Sequence, residues 1–175
     1  MNKIIAFGAS SSKNSINKQL ATYTANQFKN VSVEILDLND YEMPIFSIDK
    51  EIENGIPELA NDFYTKIGSA DLIIISFAEH NGVYSTAFKN IFDWASRING
   101  KTFQEKPMLL LATSTGPRGG TTVLEIAKNR FPFQGGIVKG SFSLPSFNDN
   151  FDFEKGITNE ELKNELLEIV NSIQL

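Results

Sequence analysis

The only histidine in the chain, His80, stands in the stretch Ser76-Phe77-Ala78-Glu79-His80-Asn81-Gly82-Val83-Tyr84-Ser85, beside a carboxylate, an amide and a phenol. An imidazole has the ordinary side-chain pKa nearest neutrality, so its setting decides what it can do. That setting follows the most apolar short run in the protein, Asp71-Leu72-Ile73-Ile74-Ile75, and precedes an amphipathic run, Ala87-Phe88-Lys89-Asn90-Ile91-Phe92-Asp93-Trp94. A buried strand empties into a polar loop, and a helix follows. Two other segments have the same form. Ser10 to Asn17 follows the apolar Ile4-Ile5-Ala6-Phe7, and Thr113 to Gly120 follows Pro107-Met108-Leu109-Leu110-Leu111-Ala112. In an open parallel sheet all three loops lie at the carboxyl edge of the strands, where ligands bind.

The first loop is rich in hydroxyls and amides and opens a helix. Free N–H groups and the helix dipole make such a place attractive to a phosphate. Ser10, Ser12, Ser15 and Asn17 supply side-chain donors around Ile16, and Lys13 a positive charge. The same residue types also serve as plain helix caps, and for this loop alone the two readings are equally good. The third loop, with Ser114, Thr115, Gly116, Arg118, Gly119 and Gly120, suits either the close approach of a flat ligand or a tight turn. His80 is either a site residue or an ordinary surface histidine.

Several chemistries are excluded. With no cysteine and one histidine, disulfides, thiol catalysis and zinc sites are disfavoured, and no resident metal is expected. No Gly-x-Gly-x-x-Gly follows the first strand, and neither a phosphate-loop Gly-x-x-x-x-Gly-Lys-Ser/Thr nor a Gly-x-Ser-x-Gly is present. A net charge of -5 argues against nucleic acid as a partner. No apolar run approaches the ~20 residues of a membrane span, and no signal-peptide core is visible, so a cytoplasmic protein is expected.

The elements that position the loops alternate along one domain spanning residues 1–175. Strands are predicted at Lys3–Phe7, Val31–Leu38, Asp71–Phe77, Pro107–Ser114 and Gly136–Leu144. Helices are predicted at Ile16–Phe28, from Pro57 to about Ile67, at Ser85–Ile98, at Thr121–Arg130 and from Thr158 to Ile173, the last with Thr158 as N-cap and Glu161 closing a capping box. Tyr41–Ile56 and Ser146–Gly156 read as loops. The alternation predicts an α/β fold with a parallel sheet covered by helices on both faces. Phe46, Phe147, Phe151 and Phe153 fall in predicted loops, where they cover a pocket, form a subunit interface or pack on their own domain.

At these loops the sequence resembles the NAD(P)H-dependent FMN reductases, also called NAD(P)H-dependent oxidoreductases, a family of flavodoxin-like fold. Gly8 to Asn17 is similar to the family's Gly-Ser-x-Arg followed by Ser-x-Asn, with one extra residue after the glycine and Ser12 or Lys13 in place of the arginine. Ala78-Glu79-His80-Asn81 resembles Pro-Glu-Tyr-Asn, and Phe88-Lys89-Asn90-Ile91-Phe92-Asp93-Trp94 resembles Leu-Lys-Asn-x-x-Asp-Trp. The likeness spans the first four strands. It implies a five-stranded parallel sheet of order 2-1-3-4-5, with FMN bound non-covalently at the switch point. Ser10, Ser12, Lys13, Ser15, Ile16 and Asn17 would hold the phosphate; Ala78, Glu79, His80 and Asn81 the ring; and Ser114, Thr115, Gly116 and Gly119 the ring's face or edge. His80 and Tyr84 would line the pocket for nicotinamide or acceptor. No catalytic acid or base is implied, because the flavin carries the redox chemistry. The implied reaction moves hydride from NAD(P)H, the co-substrate, through FMN to a flavin, quinone or azo/nitro-type small-molecule acceptor. A homodimer or homotetramer is implied, with the Tyr41–Asp49 segment reaching a partner's flavin. Two other readings stand beside it: a flavodoxin-type electron carrier and a non-catalytic binding domain of the same fold.

Overall fold

The computed structural model describes all residues from Met1 to Leu175. In chain order the elements are β1 (Asn2–Ala9), α1 (Ile16–Ala25), β2 (Val31–Leu36), a short 3-10 turn (Leu38–Tyr41), α2 (Ile48–Asn54), α3 (Glu58–Gly68), β3 (Leu72–Phe77), β4 (Glu79–His80), β5 (Val83–Tyr84), α4 (Thr86–Ile98), β6 (Lys106–Thr113), α5 (Thr121–Arg130), a second 3-10 turn (Phe131–Gln134), β7 (Gly136–Leu144), α6 (Phe147–Asn150), β8 (Phe151–Asp152), β9 (Gly156–Ile157) and α7 (Glu160–Ser172). The five long strands form one parallel sheet in the order β2-β1-β3-β6-β7.

The central strands are apolar because both of their faces are covered. Along β1, Ile4 and Ala6 join Leu20 and Ala21 of α1 and Leu166 and Val170 of α7. Ile5 and Phe7 point the other way, into a core with Phe63 and Ile67 of α3, Phe88, Ile91 and Phe92 of α4, and Val123 of α5. The order reverses between β1 and β3, and there the polar loops open.

The sequence reading and the structure differ at several places. Tyr41–Ile56 is not a continuous loop. It contains α2, which Ser47 caps by accepting from the Lys50 N–H at 3.3 Å. Helix α2 buries no residue, so it lacks the apolar stripe by which a helix is found in sequence. The cap of α7 is Asn159, whose Oδ1 accepts from the N–H groups of Glu161 and Leu162 at 3.1 Å, and Thr158 lies outside it. Helix α1 ends at Ala25 rather than Phe28, and β2 ends at Leu36. Ser146–Gly156 holds α6 and the first strand of a β8–β9 hairpin. Of the four loop phenylalanines, Phe147 is buried, Phe46 meets the Trp94 ring at 4.9 Å, Phe151 stacks on Phe147 at 4.6 Å, and Phe153 is 85% exposed.

The motif Lys89-Asn90-Ile91-Phe92-Asp93-Trp94 acts here as a clamp. Asn90 Nδ2 donates to the Met43 and Pro44 carbonyls at 3.1 and 3.2 Å, its Oδ1 accepts from Phe46 N–H at 2.9 Å, and Trp94 Nε1 donates to the Pro44 carbonyl at 2.7 Å. The segment before α2 is thereby fixed on α4.

Ion pairs tie the edge strand to its neighbours. Lys18 bonds Asp37, and Lys3 and Lys66 bond Glu34, and these lysines hold the two carboxyl groups below their ordinary values of 3.8 and 4.5. A carboxyl group lowered in the folded state adds stability that is complete above its unfolded pKa and is lost as pH falls through its folded pKa. Stability is therefore expected to hold down to pH 4.5 and to fall below it. Asp37→Asn should remove part of that fall. Thermal unfolding of both proteins between about pH 6 and about pH 3 checks this.

Candidate functional site

Three loops converge at the carboxyl edge of the sheet. They enclose a cleft of about 300 Å³ lined by Ser10, Ser12, Asn14, Ser15, Ile16, Asn17, Ala78, Glu79, His80, Thr113, Ser114 and Thr115. Ten of the residues expected from sequence line it; Lys13, Asn81, Gly116 and Gly119 do not, and Asn14 and Thr113 join it.

Asn17 holds the floor together. Its side-chain Nδ2 donates to the Thr113 carbonyl at 3.1 Å, and its Oδ1 accepts from the Thr113 N–H at 3.1 Å and from Ser76 Oγ at 2.7 Å. The residue is 3% exposed. The carboxamide thus pins the first turn of α1 to the ends of β3 and β6. Its side chain is engaged by protein groups rather than presented as a phosphate donor. Ser76 had a signal in the sequence: it is the one hydroxyl in the apolar strand Leu72-Ile73-Ile74-Ile75-Ser76-Phe77, and a buried hydroxyl needs a partner.

The main chain of the first loop is arranged differently. Ser15 Oγ caps α1 by accepting from Lys18 N–H at 3.1 Å, and Ser10 Oγ accepts from Ser12 N–H at 3.1 Å. The N–H groups of Ser11, Lys13, Asn14, Ile16 and Asn17 donate to no acceptor within the protein. A run of free N–H groups at a helix N-terminus carries a positive partial charge and fits a phosphate. Lys13 is exposed and does not line the cleft.

The second loop is a hairpin, β4 paired antiparallel with β5, turning at Asn81 (φ 52°) and Gly82 (φ 80°). Positive φ at both turn residues is the mark of a tight primed turn, and Asn-Gly is its best sequence signal. Glu79 lies in that hairpin, yet its Oε2 accepts from Val123 N–H at 3.0 Å. It caps α5, whose own N-cap Gly120 has no side chain to do so. His80 is exposed at the rim.

The third loop is anchored to β7 and to α6: Ser143 Oγ donates to the Gly119 carbonyl at 3.0 Å, and Phe147 N–H to the Ser114 carbonyl at 3.0 Å. Gly119 and Gly120 are buried with φ of 57° and 76°, and a Cβ on Gly119 would stand 2.4 Å from Ser143 Oγ. They shape the turn. A Cβ on Gly116 would meet only Ser114 Oγ, at an ordinary contact distance of 3.8 Å. Tyr84 does not reach the cleft. Its ring packs among Phe77, Phe88 and Phe131, its hydroxyl is buried with no hydrogen-bond partner, and burial pushes its pKa up to about 12.

The cleft therefore offers main-chain N–H groups and hydroxyls at one end and a wall of loop backbone at the other. The one carboxylate on it is engaged by a helix N–H. That donor set fits an anionic ligand with a flat ring, and FMN has both features. Sheet order and the place of the cleft together define a flavodoxin-like fold with its cleft at the switch point.

The chain belongs to the NADPH-dependent FMN reductase family, whose model matches residues 2–149. It is an oxidoreductase of that family, with FMN as cofactor and NAD(P)H as co-substrate. It is 28% identical over 154 residues to an NADPH:quinone oxidoreductase of Arabidopsis thaliana, covering 86% of this chain and 77% of that protein. It is 32% identical over 152 residues to an uncharacterized Mycoplasma pneumoniae protein, the MG342 homolog, covering 84% and 89%. Among solved structures, the flavoenzyme NAD(P)H:(acceptor) oxidoreductase FerB of Paracoccus denitrificans superposes with a TM-score of 0.78 at 21% identity, over 98% of this chain and 94% of that one, and so shares its fold.

Two substitutions test the site's construction. Asn17→Ala leaves the Ser76 hydroxyl and both main-chain groups of Thr113 without their partner, and should lower stability by about 3 kcal/mol in urea unfolding. Tyr84→Phe removes a hydroxyl that has no partner, and should leave stability unchanged or raise it by up to about 1 kcal/mol.

Proposed function

We propose that residues 1–175 form one FMN-binding unit that reduces small quinone-like or azo/nitro-type acceptors at the expense of NAD(P)H. The observation that carries the reading is the set of free N–H groups in the first loop, three of them (Asn14, Ile16 and Asn17) on residues that line a cleft walled by two other loops at the switch point. FMN, when bound, accepts hydride from NAD(P)H and passes the electrons on. The chain's part is positional. Ser11 to Asn17 hold the phosphate; Ala78, Glu79 and His80 support one side of the ring; Ser114, Thr115 and Gly116 face the other. Main-chain N–H groups beside the ring would favour the negative charge of the reduced state. His80, at the exposed rim, lies where a second substrate enters and can hydrogen-bond a carbonyl oxygen of the acceptor. The relatives named as quinone reductases, and an NADPH azoreductase of a Bacillus species, support this range of acceptors. The NAD(P)H requirement suits a cytoplasmic location, where that reductant is regenerated.

We also propose that the working form is a homodimer or a homotetramer. Ile45, Ile48 and Ile52 are 67, 52 and 76% exposed on and before α2, and the Asn90 and Trp94 clamp holds them out as a formed surface. A second copy covering that surface would remove three large apolar side chains from water. Light scattering should give a dimer or tetramer mass, and Ile48→Asp with Ile52→Asp a monomer. A monomeric wild type contradicts the proposal.

The phosphate loop predicts that FMN binds at least about tenfold more tightly than riboflavin, ~1.4 kcal/mol. Ser12→Asp should weaken FMN and leave riboflavin unchanged, because only the phosphate meets the new carboxylate. Fluorescence titration measures both. Anaerobic mixing of the FMN-loaded protein with NADPH should bleach the flavin absorbance. Equal affinity for FMN and riboflavin contradicts the phosphate site; a flavin that NADPH does not bleach points instead to an electron carrier.

A further inference from the structure

A second groove, of about 540 Å³, begins where the cleft ends. Asn14 and Ser15 line both. From there the groove runs along the outer face of α1 and is closed on its far side by the β8–β9 hairpin. Its floor is Tyr23. Gly156 of the hairpin sits against that ring so closely that a Cβ would stand 1.9 Å from Tyr23 Cε2, which fixes the hairpin on the helix. Tyr23 and Phe151 meet edge to face at 5.7 Å. Phe153, at the hairpin tip, is 85% exposed and stacks on no other ring. Three lysines line the groove against one carboxylate, that of Glu154. Lys18 is bonded to Asp37 at 2.5 Å, whereas neither Lys13 nor Lys155 has a carboxylate oxygen within ion-pair distance.

We infer that this groove takes the adenylate moiety of a dinucleotide, with its phosphate at Lys13 and Lys155 and its base against Phe153. The chemistry follows from the lining. An exposed phenyl ring is a stacking platform for a base, and two unpaired ammonium groups beside it are a counter-charge for phosphate. The inference rests on the flavin reading of the adjoining cleft, because Asn14 and Ser15, in the loop proposed to hold the flavin phosphate, line both cavities. Two molecules carry such a moiety: FAD, whose second phosphate and adenosine continue outward from the FMN half, and NADPH, whose 2′-phosphoadenosine is remote from the nicotinamide. The reading therefore extends the site from a mononucleotide cleft to a cleft and an adenylate groove.

The test compares the wild type with Phe153→Ala and Lys155→Ala, both on exposed side chains that support no buried contact. FMN and FAD are titrated into the apo-protein, and 2′,5′-ADP into the FMN-loaded protein. If FAD fills the groove, it binds about tenfold more tightly than FMN to the wild type, and either substitution removes the difference while FMN is unchanged. If the reductant fills it, FAD and FMN bind alike, and 2′,5′-ADP binds saturably to the wild type and about tenfold more weakly to either variant. If FAD shows no advantage and 2′,5′-ADP binding is absent or unaffected by both substitutions, the groove is not an adenylate site. If FMN itself fails to bind, the flavin reading falls first; 2′,5′-ADP binding to the apo-protein, retained or lost in Phe153→Ala, then decides the groove alone.

Discussion

The structure depends on one buried carboxamide. Asn17 joins three chain segments that are far apart in sequence, the first turn of α1 and the ends of β3 and β6. Each segment carries one of the loops that build the cleft. The carboxamide does this with two separate atoms: Nδ2 donates to one main-chain carbonyl, while Oδ1 accepts from a main-chain N–H and a serine hydroxyl. The protein places this polar knot in the core, where an unmade hydrogen bond is costly, and so fixes the loops in one arrangement. With the side chain engaged in this way, the main chain around it keeps N–H groups that have no acceptor in the protein.

The same division recurs across the site. Glu79 turns its carboxylate to the N-terminus of α5. Ser85 donates to the Ala9 carbonyl at 2.7 Å while capping α4 by accepting from Phe88 N–H at 3.2 Å. Ser15 caps α1. Side chains that look chemically active in the sequence fasten one loop to another. On the proposed reading the ligand meets backbone, so Ala78 and His80 can stand where the family has proline and tyrosine. Backbone donors survive a change of side chain provided the fastening holds.

Much of this architecture was legible in the sequence. The apolar runs of β1, β3 and β6 announce strands covered on both faces, and the loops that follow them announce the switch point. The family resemblance at Gly8–Asn17 and Phe88–Trp94 supplied the cofactor, and the family match agrees. What escaped was set by contacts distant in sequence. Helix α2 buries nothing, so periodicity could not reveal it. The cap of α7 shifted by one residue because Asn159 and Thr158 are both competent caps. The fastening roles of Asn17 and Glu79, read from the resemblance as phosphate and ring contacts, were hidden because a carboxamide or carboxylate does not show its partner in the sequence. Only its partner, Thr113 in one case and Val123 in the other, decides. The Asn81-Gly82 turn was there to be read and marks the hairpin.

The central claim is that loop backbone at Ser11–Asn17, set by Asn17, receives the flavin phosphate. A crystal structure of the FMN-loaded protein tests it most directly. The structure predicts phosphate oxygens within hydrogen-bonding distance of the N–H groups of this loop, the Asn17–Thr113 pair unchanged, and the ring between Ala78–His80 and Ser114–Thr115. FMN bound with its phosphate elsewhere, or a loop that rearranges and breaks the Asn17–Thr113 pair to reach it, would contradict the claim.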